Sequence, residues 1–250
     1  MPPFPRFRSV VRPVFSFLLI CSVTLAGPAP AAPPVEDSIA QRVLACTGCH
    51  GAEGRAGADG YYPRIAGKPA GYLYNQLVNF RDARRHYPLM SELLQPLSDD
   101  YLREIAEHFA SLDLPYPAPA RAVNTPATLT RGEQLVRRGD TQRDIPACAR
   151  CHGDNLMGLT PSIPGLIGLP PDYLAAQLGG WQSGVRHAHA PDCMAGIAQR
   201  MAPDDITAVT RWLAAQPVPA GAKAADAPAR PLPMRCGGVP PAQQDGGLTQ

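Results

Sequence analysis

Two five-residue stretches carry the side chains best suited to chemistry: Cys46-Thr-Gly-Cys49-His50 and Cys148-Ala-Arg-Cys151-His152. Each fits C-x-x-C-H, the pattern of covalent c-type haem attachment. Cysteines three apart lie on one helical face, where both thiols can form thioethers with the vinyl groups on one macrocycle edge. The adjacent histidine then reaches the iron. Two such motifs predict two covalently attached haem c groups.

Other uses of these residue types fit the spacing poorly. A structural zinc site built from two C-x-x-C pairs separates them by about 15 to 20 residues, whereas Cys49 and Cys148 are 99 positions apart. A thioredoxin-like dithiol uses a single C-x-x-C within a βαβ unit. No strand-rich, alternating segment flanks either motif.

The elements that must position the motifs come from an internal duplication. Gly67-Lys-Pro-Ala-Gly-Tyr72-Leu73-Tyr-Asn-Gln76-Leu77 answers to Gly168-Leu-Pro-Pro-Asp-Tyr173-Leu174-Ala-Ala-Gln177-Leu178, Phe80 to Trp181, and Arg85-His86 to Arg186-His187. The stretch from Leu97 to Phe109 runs beside that from Met201 to Leu213. Leu102, Ile105, Ala106 and Phe109 form a helical stripe, with Ser98 as its N-cap and Asp99 and Asp100 in its first turn. Ile206, Val209 and Leu213 repeat the stripe, with Pro203 in the first turn. A helix delivers each haem motif, through Ile39, Val43 and Cys46 in one half and through Gly132, Leu135 and Val136, stopping near Gly139, in the other.

Composition agrees with two small domains. Among 250 residues, 30 are proline and only 6% are aromatic, so long connections and small cores suit the chain better than one large core. Arg6, Arg8 and Arg12 precede a thirteen-residue apolar stretch from Val14 to Ala26, and Ala29-Pro-Ala31 offers a cleavage point. This reads as an export signal too short to span a bilayer, although an uncleaved segment would leave the protein membrane-associated. Nothing later in the chain is long and apolar enough to cross a membrane, so no stable span is expected after cleavage. Losing the three leader arginines leaves a mature net charge of about −1, and no clustered basic run suggests nucleic acid as a partner. The resulting organisation is a signal peptide at 1–31, haem domain 1 at 32–113, a Pro-rich linker at 114–127, haem domain 2 at 128–217 and a Pro/Gly/Ala-rich tail at 218–250.

A haem iron held by one histidine stays open in oxygen carriers and peroxidases and is closed by a second side chain in electron carriers. Met90 lies seven residues before Leu97, and Met194 seven before the matching Met201. Methionines usually fill cores, but their repeat equivalence makes these two candidate iron ligands. His86 and His187 compete with them, because they too match between halves. Arg85 and Arg186 are candidates to pair with haem propionates. Met201 matches Leu97 and is read as core, and His108 and His189 have no repeat partner.

From Val35 to Gln216 the chain resembles the diheme class I cytochromes c of the cytochrome c4 family. The two C-x-x-C-H motifs, the Gly-x-Pro-x-x-Tyr-Leu-x-x-Gln-Leu segments and the methionines ahead of the final helices carry the resemblance. It implies an all-α fold of two tandem class I cytochrome c domains. It also implies a periplasmic carrier of single electrons rather than an enzyme. Cys46, Cys49, His50 and Met90 would serve one haem, and Cys148, Cys151, His152 and Met194 the other. Partners would be redox proteins such as a terminal oxidase or a periplasmic dehydrogenase.

The chain departs from that pattern in an insertion of about three residues before Met194, in the segment from His189 to Cys193, and in its long tail. With Cys21 discarded in the signal peptide and the motif cysteines spent on haem, Cys193 and Cys236 remain, and an oxidising compartment favours a disulfide between them. Two alternatives follow. The chain would be an electron-transfer subunit fixed to a periplasmic dehydrogenase, or Cys193 would bind iron as a thiolate in a diheme sulfur-oxidising enzyme.

Overall fold

The computed structural model describes residues 36–57, 60–119 and 124–244, so the expected signal peptide and Cys21 lie outside the described residues. The first half holds α1 (Ile39–Arg42), α2 (Leu44–His50), α3 (Ala70–Arg81), α4 (Pro88–Leu94) and α5 (Asp99–Ser111). The second holds α6 (Pro126–Arg137), α7 (Ala149–His152), a two-residue hairpin of β1 (Gly158–Leu159) and β2 (Ile163–Pro164), α8 (Pro171–Gln182), α9 (Cys193–Gln199) and α10 (Pro203–Ala214). The tail ends in α11 (Pro241–Gln244).

The expected stripes are the core faces. Ser98 Oγ caps α5 by accepting from the Tyr101 N–H at 3.3 Å, and Leu102, Ile105, Ala106 and Phe109 are all buried. Ile206, Val209 and Leu213 are buried in the same way on α10, whose first turn holds Pro203.

Three details differ from the expectation. The helix delivering the first motif is broken at buried Val43, where ψ is 6° and α1 gives way to α2. In the second half α6 stops ahead of Gly139 as expected, but a loop and the separate α7 carry the motif, so the long helix does not itself deliver it. The segments bearing Met90 and Met194 are themselves helices, α4 starting with Pro88 and α9 capped by the Asp192 carboxylate on the Ala195 N–H at 3.1 Å.

Gly132 lets α6 and α10 cross closely, because a Cβ there would collide with the Ala208 carbonyl and Trp212 Cβ. Beside that crossing Asp205 is 5% exposed. It accepts from Arg131 at 2.9 Å and Arg143 at 2.6 Å, and the same arginines hold Asp140 at 3.0 and 2.8 Å. Their hydrogen bonds, Arg143 first, pull the Asp140 carboxyl down to about 2.

The described residues from Glu36 onward form one compact unit, and the duplication makes the contact between halves nearly symmetric. Arg85 and Arg186 face each other as an antiparallel bridge. The His86 N–H donates to the Val185 carbonyl at 2.8 Å, and the His187 N–H to that of Arg84 at 2.6 Å. Arg85 donates to Gln76 Oε1 at 2.9 Å and Gln177 Oε1 at 2.5 Å, and Arg186 donates to the same oxygens at 3.1 and 2.5 Å. Each guanidinium also stacks on the matching aromatic of its own half, Phe80 at 4.4 Å and Trp181 at 3.8 Å.

The tail is laid onto the second half. Its Ala225 pairs with the hairpin, donating to the Gly158 carbonyl at 3.0 Å and accepting from the Thr160 N–H at 2.8 Å. Gln243 donates to the Thr160 carbonyl at 2.6 Å. Among the described residues no helix is long and apolar enough to cross a membrane.

Candidate functional site

Each motif histidine ends a short helix and is buried, His50 on α2 and His152 on α7. The His50 Nδ1–H donates to the Pro63 carbonyl and the His152 Nδ1–H to the Pro164 carbonyl, both at 2.8 Å. A carbonyl only accepts, so this bond assigns the ring proton to Nδ1 and leaves the Nε2 lone pair for a metal. Burial also lowers the pKa of both rings. The Pro63 bond opposes this at His50 and the Arg85 charge adds to it, while the Pro164 bond opposes it at His152. Both rings are therefore neutral ligands in waiting.

Each histidine faces a cavity whose wall includes the methionine of its own half. The first cavity is about 780 Å³, with Cys46, His50, Met90, Ile105 and Phe109 in its lining. The second is about 220 Å³, with Cys148, Cys151, His152, Met194 and Leu213 in its lining. Cys49 is exposed and stands outside the first lining. None of the four motif cysteines is in a disulfide. Burial raises the Cys148 thiol to about 12 and the Cys151 thiol to about 11, so neither is a free thiolate. Apolar walls, a nitrogen with a free lone pair and a thioether in the same cavity, with both thiols at the second and one of the two at the first, fit a flat, apolar macrocycle attached at one edge and ligated on both faces.

The competing histidines do not repeat this arrangement in both halves. His86 and His187 are exposed, and their backbone N–H groups are spent on the contact between halves; His86 also stands on the rim of the first cavity, whereas His187 lines neither. His108 lies against Phe109 on α5. His189 does reach the second cavity, where its ring lies 3.4 Å from Arg84 Nη2. Met201 is buried in the second core, as read, and also lines that cavity.

Two functional groups escaped the sequence reading: the carbonyls of Pro63 and Pro164. A signal for them was present, since Pro63-Arg-Ile and Pro164-Gly-Leu occupy matching positions thirteen and twelve residues after the motif histidines.

Cys193 and Cys236 form a disulfide across 43 residues of chain, with Cα atoms 5.5 Å apart. Both cysteines, with Met234 and Val239 of the tail, line the second cavity. The bond corrects the thiolate alternative, because a sulfur shared with Cys236 has no charge to offer an iron.

No protein-family model matches the chain. Over 210 residues the chain is 36% identical to a "Thiosulfate dehydrogenase electron acceptor" of Thiomonas intermedia (strain K12), covering 83% of this chain and 93% of that protein. Over 197 residues it is 32% identical to a cytochrome c4 of Pseudomonas aeruginosa, covering 78% and 94%. The chain belongs to the cytochrome c4 family. The crystal structure of reduced recombinant cytochrome c4 from Pseudomonas stutzeri agrees, superposing with a TM-score of 0.60 at 30% identity over 70% of this chain and 94% of that one. As a cytochrome c4, the protein has the fold of two class I cytochrome c domains and carries two covalently bound haem c groups. It transfers electrons rather than catalysing a reaction of its own.

Proposed function

We propose that Cys46, Cys49, His50 and Met90 hold one haem and Cys148, Cys151, His152 and Met194 the other, each iron closed by histidine and methionine. The observation that carries this reading is the recurrence, in both halves, of a proline-locked histidine and a repeat-matched methionine on one cavity. When bound, haem supplies a one-electron iron couple. The chain's residues decide how that couple behaves. The proline carbonyls fix each ring so that Nε2 stays on target through a change of charge. Thioether sulfur favours the reduced metal relative to more basic ligands, which suits a high-potential carrier. Apolar walls keep water from the ligand positions. Because neither oxidation state needs to gain or lose a side chain, little rearrangement accompanies each transfer.

The reading extends to partners and place. The protein works in the periplasm, taking electrons from a dehydrogenase and passing them to a terminal oxidase through small, transient contacts. The name of the Thiomonas relative favours a dehydrogenase of sulfur compounds as donor. Magnetic circular dichroism of the purified oxidised protein, together with its haem content, tests the ligand assignment. Two haems per chain, both low-spin with methionine-sulfur charge transfer, are expected. A high-spin or bis-histidine haem would overturn it.

A further inference from the structure

A buried cation between the two cavities has no use in the arrangement described so far. Lys68, in the turn ahead of α3, is 6% exposed and lines both cavities. Among the described residues no hydrogen bond or ion pair reaches its ammonium. Its cationic neighbours are already satisfied. Arg64 donates to the carbonyls of Ala66, Pro115 and Leu114 at 3.2, 3.1 and 2.6 Å, and Arg85 and Arg186 share the two glutamine oxygens. The carboxylates on the cavity walls are engaged elsewhere or turned outward. Asp192 accepts from the Ala188 and Ala195 N–H groups at 2.6 and 3.1 Å, and Asp172 is exposed.

Burial, with the Arg64 charge adding to it, pushes Lys68 down to about 8. An ammonium removed from water needs a paired anion, and the polypeptide offers none here. The fold does not require the charge either. The matching position of the second half is Leu169, itself buried.

We propose that Lys68 is a counter-ion site for haem propionates at the wall shared by the two cavities. The site rests on the haem positions proposed above. It places one positive charge between the two haems at a position where the second half has an apolar residue. A fixed positive charge favours the reduced iron, so Lys68 raises the potential of the haem whose carboxylate it holds.

The experiment uses the holoprotein and begins with haem content. A chain without two low-spin haems would overturn the haem-site reading itself, and the Lys68 site with it. With two haems bound, Lys68→Leu, the residue of the other half, is expected to weaken the electron affinity of at least one haem about tenfold, or about 59 mV in a spectroelectrochemical titration. Lys68→Arg is expected to restore it. Unchanged potentials in a fully loaded Lys68→Leu protein would overturn the site while leaving the haem reading intact. The unaltered protein provides a second test, because its only two lysines are Lys68 and Lys223, and Lys223 pairs with Asp113 at the surface. In protein labelled with 13C-lysine, the Lys68 Cε resonance is expected to shift strongly on haem oxidation while that of Lys223 moves little. A Lys68 resonance indifferent to oxidation would overturn the site even if the leucine variant fails to accumulate.

Discussion

The two cavities descend from one repeat, yet they are finished differently. The first, about 780 Å³, is lined by residues of the two halves and has an exposed rim. Tyr61 and Leu93 on its lining are 63% and 45% exposed, and Leu89, beside Met90 on α4, is 60% exposed. The second, about 220 Å³, is overlaid by the tail, whose Leu232, Met234 and Val239 stand in its wall. The disulfide anchors that cover beside Met194, and Asn75 of α3 binds it from the other half through the Gly238 carbonyl at 2.8 Å. The ligand geometry is shared and the access is not. The proposed ligands recur in both halves, while the tail after the second half changes what surrounds one of them.

The comparison breaks most sharply at the methionines. Met90→Ala and Met194→Ala are each expected to remove methionine charge transfer from one haem, and to lower its potential by on the order of 0.1 V or more, with both haems still covalently bound. Imidazole added to the oxidised variants is expected to bind the opened first site faster than the second, by stopped-flow absorbance. Equal rates would mean that the tail is no barrier.

Releasing the cover sharpens the same contrast. Closing a 43-residue loop is worth about 4 kcal/mol in the chain-entropy account. Cys193→Ser with Cys236→Ser is therefore expected to free the tail to limited proteolysis and to speed imidazole binding in the Met194→Ala background. The first site should not respond.

Packing separates the halves to a smaller degree. Gly132→Ala forces α6 away from α10 and is expected to cost the second half about 1–3 kcal/mol, seen as earlier loss of the second haem's spectrum in denaturant. The smallest effect is on acid stability. Asp140 sits near 2 when folded against an ordinary 3.8, so it stabilises the fold above about 3.8 and that contribution is lost as pH falls towards 2. Asp140→Asn should flatten that part of the second half's acid unfolding curve, measured by circular dichroism, without touching the first.

Most of the fold was legible because the signals were local and repeated. The stripes at 102–109 and 206–213 have a helical period, and Ser98 and Pro203 mark where those helices begin. The stop of α6 near Gly139 was legible, but the break at Val43 was not, since no Gly or Pro marks it and a turn of backbone alone decides where α1 stops. The short helices α4 and α9 were missed because seven residues hold too little period to stand out.

By itself the sequence determined the chemistry: two thiol pairs with adjacent histidines, two methionines at one repeat position, and two spare cysteines. These depend on residue type and spacing, which covalent attachment reads directly. Only the tertiary structure put a methionine on the wall of each cavity while leaving His187 off both. It also supplied the proline carbonyls that assign the ring protons, laid the tail over one cavity, and left Lys68 without a partner between the two. Each of these depends on which groups from distant parts of the chain meet after water is excluded, and no local pattern of residues specifies that.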